Sequence, residues 1–505
     1  MSRRGHSPAI ALFFALACAR ALAAQDLPRG TIIDDVKCAT EPAQSYALYL
    51  PSNYSRDRPW SVLIAFHPAA RGRAMVEKYQ AAAEQYGYIV AGSNTSRNGP
   101  MSVAASSVRA MSVDLGQRFA IDADRVYLTG MSGGARVAMQ IALGKNNIAG
   151  VIASSAGYPD SKPRSSVPFA VFGTAGTDDF NYIEMRLLDR KLTSPHALAV
   201  FSGGHTLPPD AVALEAIEWM ELQAMKAGRR TRDEALIDRL LEKRRSRIAA
   251  ASDAATTVHL LDALVDDFKG LRDVAAETAR AKDLSRQPDV KKALSRERAN
   301  DDAEVRTLGE IFDLEAGLRD ENRRDVSLSR LRDQLTRYAR LADAAAESPE
   351  RSQARRVLRT VTGGAAERVD DPDYRRLLEQ LARRGEPRRH EDNEECLLVP
   401  SWFRSQNTNF TPSCTSRIGV LVLLIVPYSG LLNVVFGSFQ IGEFNTLNAS
   451  NRNCAYFAPN RKFRMIDAST LKTPGPMIVS RPALPNVPAA CVTYASVLNH
   501  RASVC

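Results

Sequence analysis

Short apolar, β-branched runs alternate with longer stretches whose apolar positions recur every three or four residues. The runs are YALYL (46–50), SVLIAF (61–66), YIVAG (88–92), RVYLTG (125–130), GVIASSA (150–156), FAVFGT (169–174) and ALAVFSG (197–203). Between them, RAMVEKYQAAAEQYG, SVAASSVRAMSVDLGQRF and ARVAMQIALG carry helical spacing, and DAVALEAIEWMELQAM closes the region. Apolar runs of this length predict strands, and the spaced segments predict helices. Strand and helix in alternation predict an α/β fold, a doubly wound and mostly parallel sheet over residues 25–227. Ligands of such a sheet bind at the carboxyl ends of its strands.

Residues 228–390 have a different pattern. They are rich in Ala, Leu, Arg, Glu and Asp, as in TVHLLDALVDDFKGLRDVAAETARAKDL and VSLSRLRDQLTRYARLADAAAE, with almost no strand-like run. This predicts amphipathic helices packed as hairpins. The stretch from Phe268 to Ala279 resembles a degenerate tetratricopeptide repeat. A helical appendage or spacer is the favoured reading, and a module that binds a protein partner is the alternative. Residues 391–505 change character again, to few charges, many Asn, Ser, Thr and Pro, and most of the cysteines. Within this poorly patterned tail, IGVLVLLIVPYSGLLNVVFGSFQIG (418–442) has no charge and enough length to span a bilayer, but Pro427, Asn433 and several glycines interrupt it. It reads as a disulfide-linked β-rich domain, as a membrane anchor, or as a segment not selected for folding. The abrupt loss of charge and pattern favours the last, a disordered or non-native tail, over membrane attachment.

Composition narrows the picture further. A chain of 505 residues exceeds one compact core. The net charge of +10 raises the question of nucleic acid, but the excess is spread over the amino terminus, the middle and the tail. A diffuse charge is a solvated surface, not a phosphate-binding face, and no nucleic-acid partner is expected. Residues 1–24 combine Arg3 and Arg4, the apolar run Pro8 to Ala17, and Ala21-Leu22-Ala23. That is a signal peptide cleaved after Ala23 or Ala24, which predicts a secreted or periplasmic protein. Cys18 offers a lipoprotein alternative, weakened by Ala15 where a lipobox has Leu. Cys38, Cys396, Cys414, Cys454, Cys491 and Cys505 remain after cleavage, an even number compatible with disulfides. No CxxC and no paired His suggest a metal site.

The candidate chemistry centres on LTGMSGGARVAM (128–139). Gly130-Met131-Ser132-Gly133-Gly134 fits G-x-S-x-G, with a predicted strand before it and a helix after it. That context lifts a serine hydroxyl above the sheet on a tight turn, and the glycines relieve its crowding. Ser132 is therefore a candidate nucleophile that needs a general base. His196 precedes its strand and falls at the wrong sheet edge, and His67 comes before the nucleophile in the chain. His205, in FSGGHTLPP after the last strand, is the base of choice. A buried carboxylate must orient that imidazole, and FAVFGTAGTDDFNY offers Asp178 and Asp179 after the preceding strand. Oxyanion donors are expected from the backbone of Gly133 and from the loop HPAARG. There Pro68 has no N–H, so Ala69 is the donor. His67, Asn94 and Arg97, which face the same edge, are candidates for substrate contact.

AFHPAARGR, GSNTSRNG, LTGMSGGARVAM, GTDDFNY and GGHTLPP, in this order, resemble the α/β-hydrolase fold, and within it the polyhydroxybutyrate-depolymerase-like and feruloyl-esterase-like secreted esterases. The chain has HPAA where that family has a His-Gly oxyanion pair, and SGG where typical depolymerases have SAG. The resemblance implies a serine carboxylic-ester hydrolase working through an acyl-enzyme without metal or other cofactor. It also favours Asp179 over Asp178, because the family's acid stands directly before an FN-type step. The implied substrates are small-molecule or polymer-linked esters: short acyl, hydroxycinnamoyl or hydroxyalkanoate. A peptidase using the same triad, and a non-catalytic hydrolase-like domain carrying a helical scaffold, are the alternatives.

Overall fold

The computed structural model describes residues 27–385, apart from residues 146 and 161–163, and three strands in the tail. The signal segment and Cys396, Cys414, Cys454, Cys491 and Cys505 lie outside the described residues. One sheet contains β1 (Ile32–Lys37), β2 (Ser45–Tyr49), β3 (Trp60–Phe66), β4 (Tyr88–Ser93), β5 (Ile121–Met131), β6 (Gly150–Ser154), β7 (Ala170–Gly176) and β8 (His196–Phe201). Their spatial order is β1-β2-β4-β3-β5-β6-β7-β8. β2 is antiparallel to both of its neighbours, and all other pairs are parallel. This mostly parallel order, with a helix after nearly every strand, is the α/β-hydrolase fold.

Each of the seven apolar runs forms a strand. β1 has no such run, because Asp34 and Asp35 stand exposed in the middle of IIDDVK. It is an edge strand, where charged side chains discourage pairing with another chain. The central strands β3, β4, β6 and β7 are buried along their whole length, as parallel strands covered on both faces must be.

Five helices cover the sheet: α1 (Gly72–Tyr86), α2 (Met101–Arg118), α3 (Gly133–Leu143), α4 (Tyr182–Lys191) and α5 (Asp210–Lys226). Met75 and Tyr79 of α1 and Ile217 and Trp219 of α5 pack with Leu63, Tyr127 and Phe172 on one face. Met111 of α2, Met139 of α3 and Leu188 of α4 pack with Ile64, Leu128 and Val171 on the other.

The helical region continues as α6 (Glu234–Ala249), α7 (Ala254–Phe268), α8 (Ala275–Arg286), α9 (Pro288–Gly317), α10 (Arg324–Ala342), α11 (Pro349–Arg368) and α12 (Pro372–Gly385). Asp233 and Asp253 start α6 and α7 by accepting the amides of Leu236 and Thr256, which satisfies donors that a helix start leaves open. The helices differ in length, α8 having 12 residues and α9 having 30. The helices share two cores with the sheet domain. Leu222 and Met225 of α5 pack with Ile237, Leu240, Leu261 and Phe268. Ile183 of α4 packs with Leu308, Ile311, Leu331, Leu335, Val357 and Val361.

Residues 27–385 fall within one compact unit. Many charges of this region bind helix to helix instead of facing water: Arg244 reaches Glu215 at 2.6 Å and Asp267 at 3.3 Å, and Asp267 accepts the Trp219 indole at 2.7 Å. In the second unit, the uncharged run forms two antiparallel strands, β9 (Ile418–Tyr428) and β10 (Leu431–Ile441), with β11 (Val497–Leu498) alongside β9. Among the described residues no helix is long and apolar enough to cross a membrane.

Candidate active site

β5 delivers Ser132 to the carboxyl edge of the sheet, and the next residue begins α3. Ser132 has φ 51° and ψ −122°, a region that side chains other than glycine rarely adopt. The turn is held at both sides: the Ser132 amide donates to Ser154 O at 2.8 Å, and its carbonyl accepts from Ala135 and Arg136. The flanking glycines are required by close approach. A Cβ at Gly130 would strike the Gly134 backbone, and one at Gly134 would strike the Phe66 carbonyl. A strained turn of this kind persists only where the surroundings fix it, and it is a common feature of catalytic sites.

The candidate acid and the candidate base meet on the loops after β7 and β8. His205 Nδ1 lies 2.8 Å from Asp179 Oδ1, and Asp179 is fully buried. The same Asp179 oxygen accepts the Asn181 amide at 2.8 Å. The Phe180 ring stacks on the imidazole with centroids 4.0 Å apart. His205 is thus held by a bond in its plane and a ring on its face. Asp178 is turned to a different partner, accepting Arg355 Nη1 at 2.8 Å. Of the adjacent pair, Asp179 therefore carries the contact with the imidazole and Asp178 an ion pair with the helical region.

The edge of β6 joins the two halves. Ser154 receives the Ser132 amide, and Ser155, at φ 57°, bonds through Oγ to Thr206 O at 3.3 Å. Asn181 Nδ2 donates to Ser155 O at 2.7 Å. Ser155 therefore ties the loop of His205 to that of Asp179. Sequence reasoning overlooked it because a serine closing an apolar strand carries no signal of its own. Below this edge Glu184 of α4 pairs with Arg136 of α3 at 2.5 Å and accepts the Gly157 amide at 2.9 Å. Burial holds the Glu184 carboxyl above its ordinary range, with Arg136 opposing.

The remaining candidates occupy the loops after β3 and β4. His67 is buried, and burial pushes its imidazole down to about 4, with the neighbouring Arg71 charge adding to the effect. It is neutral at pH 7, so Nδ1 can accept, and the Ala69 amide donates to it at 3.0 Å. The Ala69 amide, expected to be an oxyanion donor, is thus directed at the His67 ring. Asn94 donates to Asp34 O at 2.9 Å and fastens this loop to β1. Arg97 is exposed and its backbone bridges Ala69. Asn98 was not among the candidates, although its place is closer to the elbow. Its amide donates to Pro68 O at 2.7 Å, and a Cβ on Gly133 would overlap its side-chain oxygen. The loop after β4 therefore closes the gap between Gly133 and the loop of Ala69. Among the described residues no three His, Cys, Asp or Glu side chains gather as metal ligands.

No protein-family model matches the chain, and no curated protein matches it. Similar solved structures include a thermostable esterase at 17% identity and TM-score 0.30, covering 38% of this chain and 62% of that one. Esterase B of Lactobacillus rhamnosis is 15% identical with TM-score 0.32, covering 44% of this chain and 97% of its own. A Pyrobaculum calidifontis esterase is 10% identical with TM-score 0.31, covering 45% and 96%. The strand order and the turn at Ser132 define the fold.

Proposed function

We propose that the chain is a serine carboxylic-ester hydrolase in which Ser132 attacks the ester carbonyl. His205 takes the hydroxyl proton and returns it to the departing alcohol. Asp179 holds the imidazole in the required tautomer and stabilises its positive charge. The backbone amides of Gly133 and Ala69 receive the oxyanion, the latter exchanging His67 Nδ1 for the substrate oxygen. The acyl-enzyme is then released by water in the mirror sequence, with no cofactor. The observation that carries this function is the 2.8 Å contact between His205 Nδ1 and a fully buried Asp179 on the loops after β7 and β8, with Ser132 held at positive φ in the turn after β5. A solvated structural histidine would not need a buried carboxylate of its own.

The proposed substrates are short acyl, hydroxycinnamoyl or hydroxyalkanoate esters, met outside the cytoplasm after export. A panel of p-nitrophenyl esters of increasing chain length, methyl ferulate and polyhydroxybutyrate tests this, with casein as the peptidase arm. Ester turnover is expected to fall roughly 10⁴-fold or more in Ser132→Ala with the fold intact. Undiminished turnover in that variant would remove Ser132 from the mechanism.

A further inference from the structure

The backbone of the loop that presents Asp179 is held by a helix about 180 positions further along the chain. Four consecutive carbonyls, from Thr177 to Phe180, have assigned donors, and three of these donors are side chains of α11. Arg356 Nη1 donates to Thr177 O at 2.6 Å, Arg359 Nη1 to Asp178 O at 3.0 Å and Thr360 Oγ1 to Phe180 O at 3.3 Å. Only the Asp179 carbonyl uses a local partner, the Tyr182 amide at 2.9 Å. Arg355 adds the ion pair to the Asp178 carboxylate at 2.8 Å. A Cβ on Gly204, next to His205, would lie 2.8 Å from Arg359 Nη1. One helix face, spaced i, i+1, i+4 and i+5, therefore reaches both the acid loop and the base loop.

Arg356 is the centre of this face and is itself fixed. It is buried, its guanidinium makes a two-pronged pair with Glu304 of α9, and it lies over the Tyr182 ring at 4.2 Å. A planar, always-charged fork of this kind suits simultaneous recognition of a carboxylate and a carbonyl. Glu304 and Tyr182 hold the guanidinium in register, and its remaining nitrogen is applied to Thr177 O. The charged groups around Asp179 and His205 are otherwise paired with each other, Arg136 with Glu184 and Arg355 with Asp178.

We infer that α11 is a built wall of the active site and that Arg356 is a positioning residue, which fixes the Asp179 loop so that the carboxylate stays on His205. This rests on the relay proposed above, and it gives the helical region a part in turnover. Loss of the clamp lets the acid loop drift. Displacement of a catalytic group by about 1 Å is enough to lower a rate roughly 100-fold without loss of substrate binding. It also weakens the coupling between Asp179 and the imidazolium.

The experiment compares full-length wild type, Arg356→Met, Arg356→Lys and Arg359→Met, with Arg376→Met on the exposed face of α12 as control. Hydrogen exchange of residues 177–182 is measured beside kcat and KM, taken separately, with p-nitrophenyl acetate. Arg356→Met is expected to speed exchange of that segment and to lower kcat roughly 10- to 100-fold with KM within about twofold. Arg356→Lys restores part of each effect, and the control behaves as wild type. Arg359→Met removes a single bond from an exposed side chain, so it preserves the fold if Arg356→Met does not, and it repeats the same changes at smaller amplitude. A folded Arg356→Met or Arg359→Met with unchanged kcat would overturn the inference. So would unchanged loop exchange, which reads the clamp even if the wild type turns over no ester. Failure of that turnover alone strikes the proposed relay, and the exchange result still decides whether α11 holds the loop.

Discussion

Asp178 and Asp179 are adjacent, carry the same group and stand on the same loop, yet their partners differ completely. Asp179 is fully buried and touches His205, whereas Asp178 faces Arg355. Their substitutions should therefore differ by orders of magnitude. Asp179→Asn keeps the shape but favours the wrong imidazole tautomer, and kcat should fall by about 10⁴-fold. Asp178→Asn removes one side of a partly exposed ion pair, and kcat should stay within about tenfold of wild type. Steady-state kinetics on the two variants checks this, and the reverse ranking would exchange their roles. Ser132 and Ser155 hold positive φ without being glycine, so strain at this edge is concentrated where chemistry is proposed.

At the level of elements, most of the sheet was legible because buried parallel strands are continuous apolar runs between helical segments. β1 was not, since its two carboxylates interrupt the run and its place depends on pairing with β2. Among the candidate site residues, the place of Ser132 was legible from its strand-turn-helix setting, and that of His205 from its position after the last strand. The choice of Asp179 came from family resemblance, because nothing in a DD pair tells which carboxylate will face an imidazole. Asn98, Ser155 and α11 escaped for a common reason: their contacts join segments far apart in the chain. An arginine-rich helix face reads as solvated surface until the carbonyls it meets are known. The elbow itself makes a prediction at this scale. In Gly134→Ala the new methyl would meet the Phe66 carbonyl, and neither backbone can move without disturbing β3 or α3. The expected result is a loss of about 1–3 kcal/mol of stability or more, read as a lower unfolding midpoint together with reduced turnover. An unchanged midpoint would mean that the turn is looser than described.

At the scale of the whole molecule, the sheet domain and the helices are joined through two apolar cores and through ion pairs. Ile183 of α4 sits among helices α9 to α11, and Leu222 of α5 among α6 and α7. A further link runs from α4 to α9, where Arg186 reaches Asp301 at 3.2 Å and Arg190 reaches Asp302 at 3.1 Å. The helices expected to form an appendage or spacer thus run from α5 back to the loop of Asp178 and Asp179, which α11 meets through Arg355, Arg356, Arg359 and Thr360. The sequence separates the two regions because composition changes at about residue 228, but composition does not report which surfaces meet. Nucleophilic chemistry is proposed for Ser132, and its most direct test is covalent. The full chain is treated with a fluorophosphonate ester and the modified peptide is mapped by mass spectrometry. The proposed mechanism predicts one adduct per chain, on Ser132, lost in His205→Ala and after unfolding. No adduct, or an adduct on another residue with Ser132 unmodified, would contradict it.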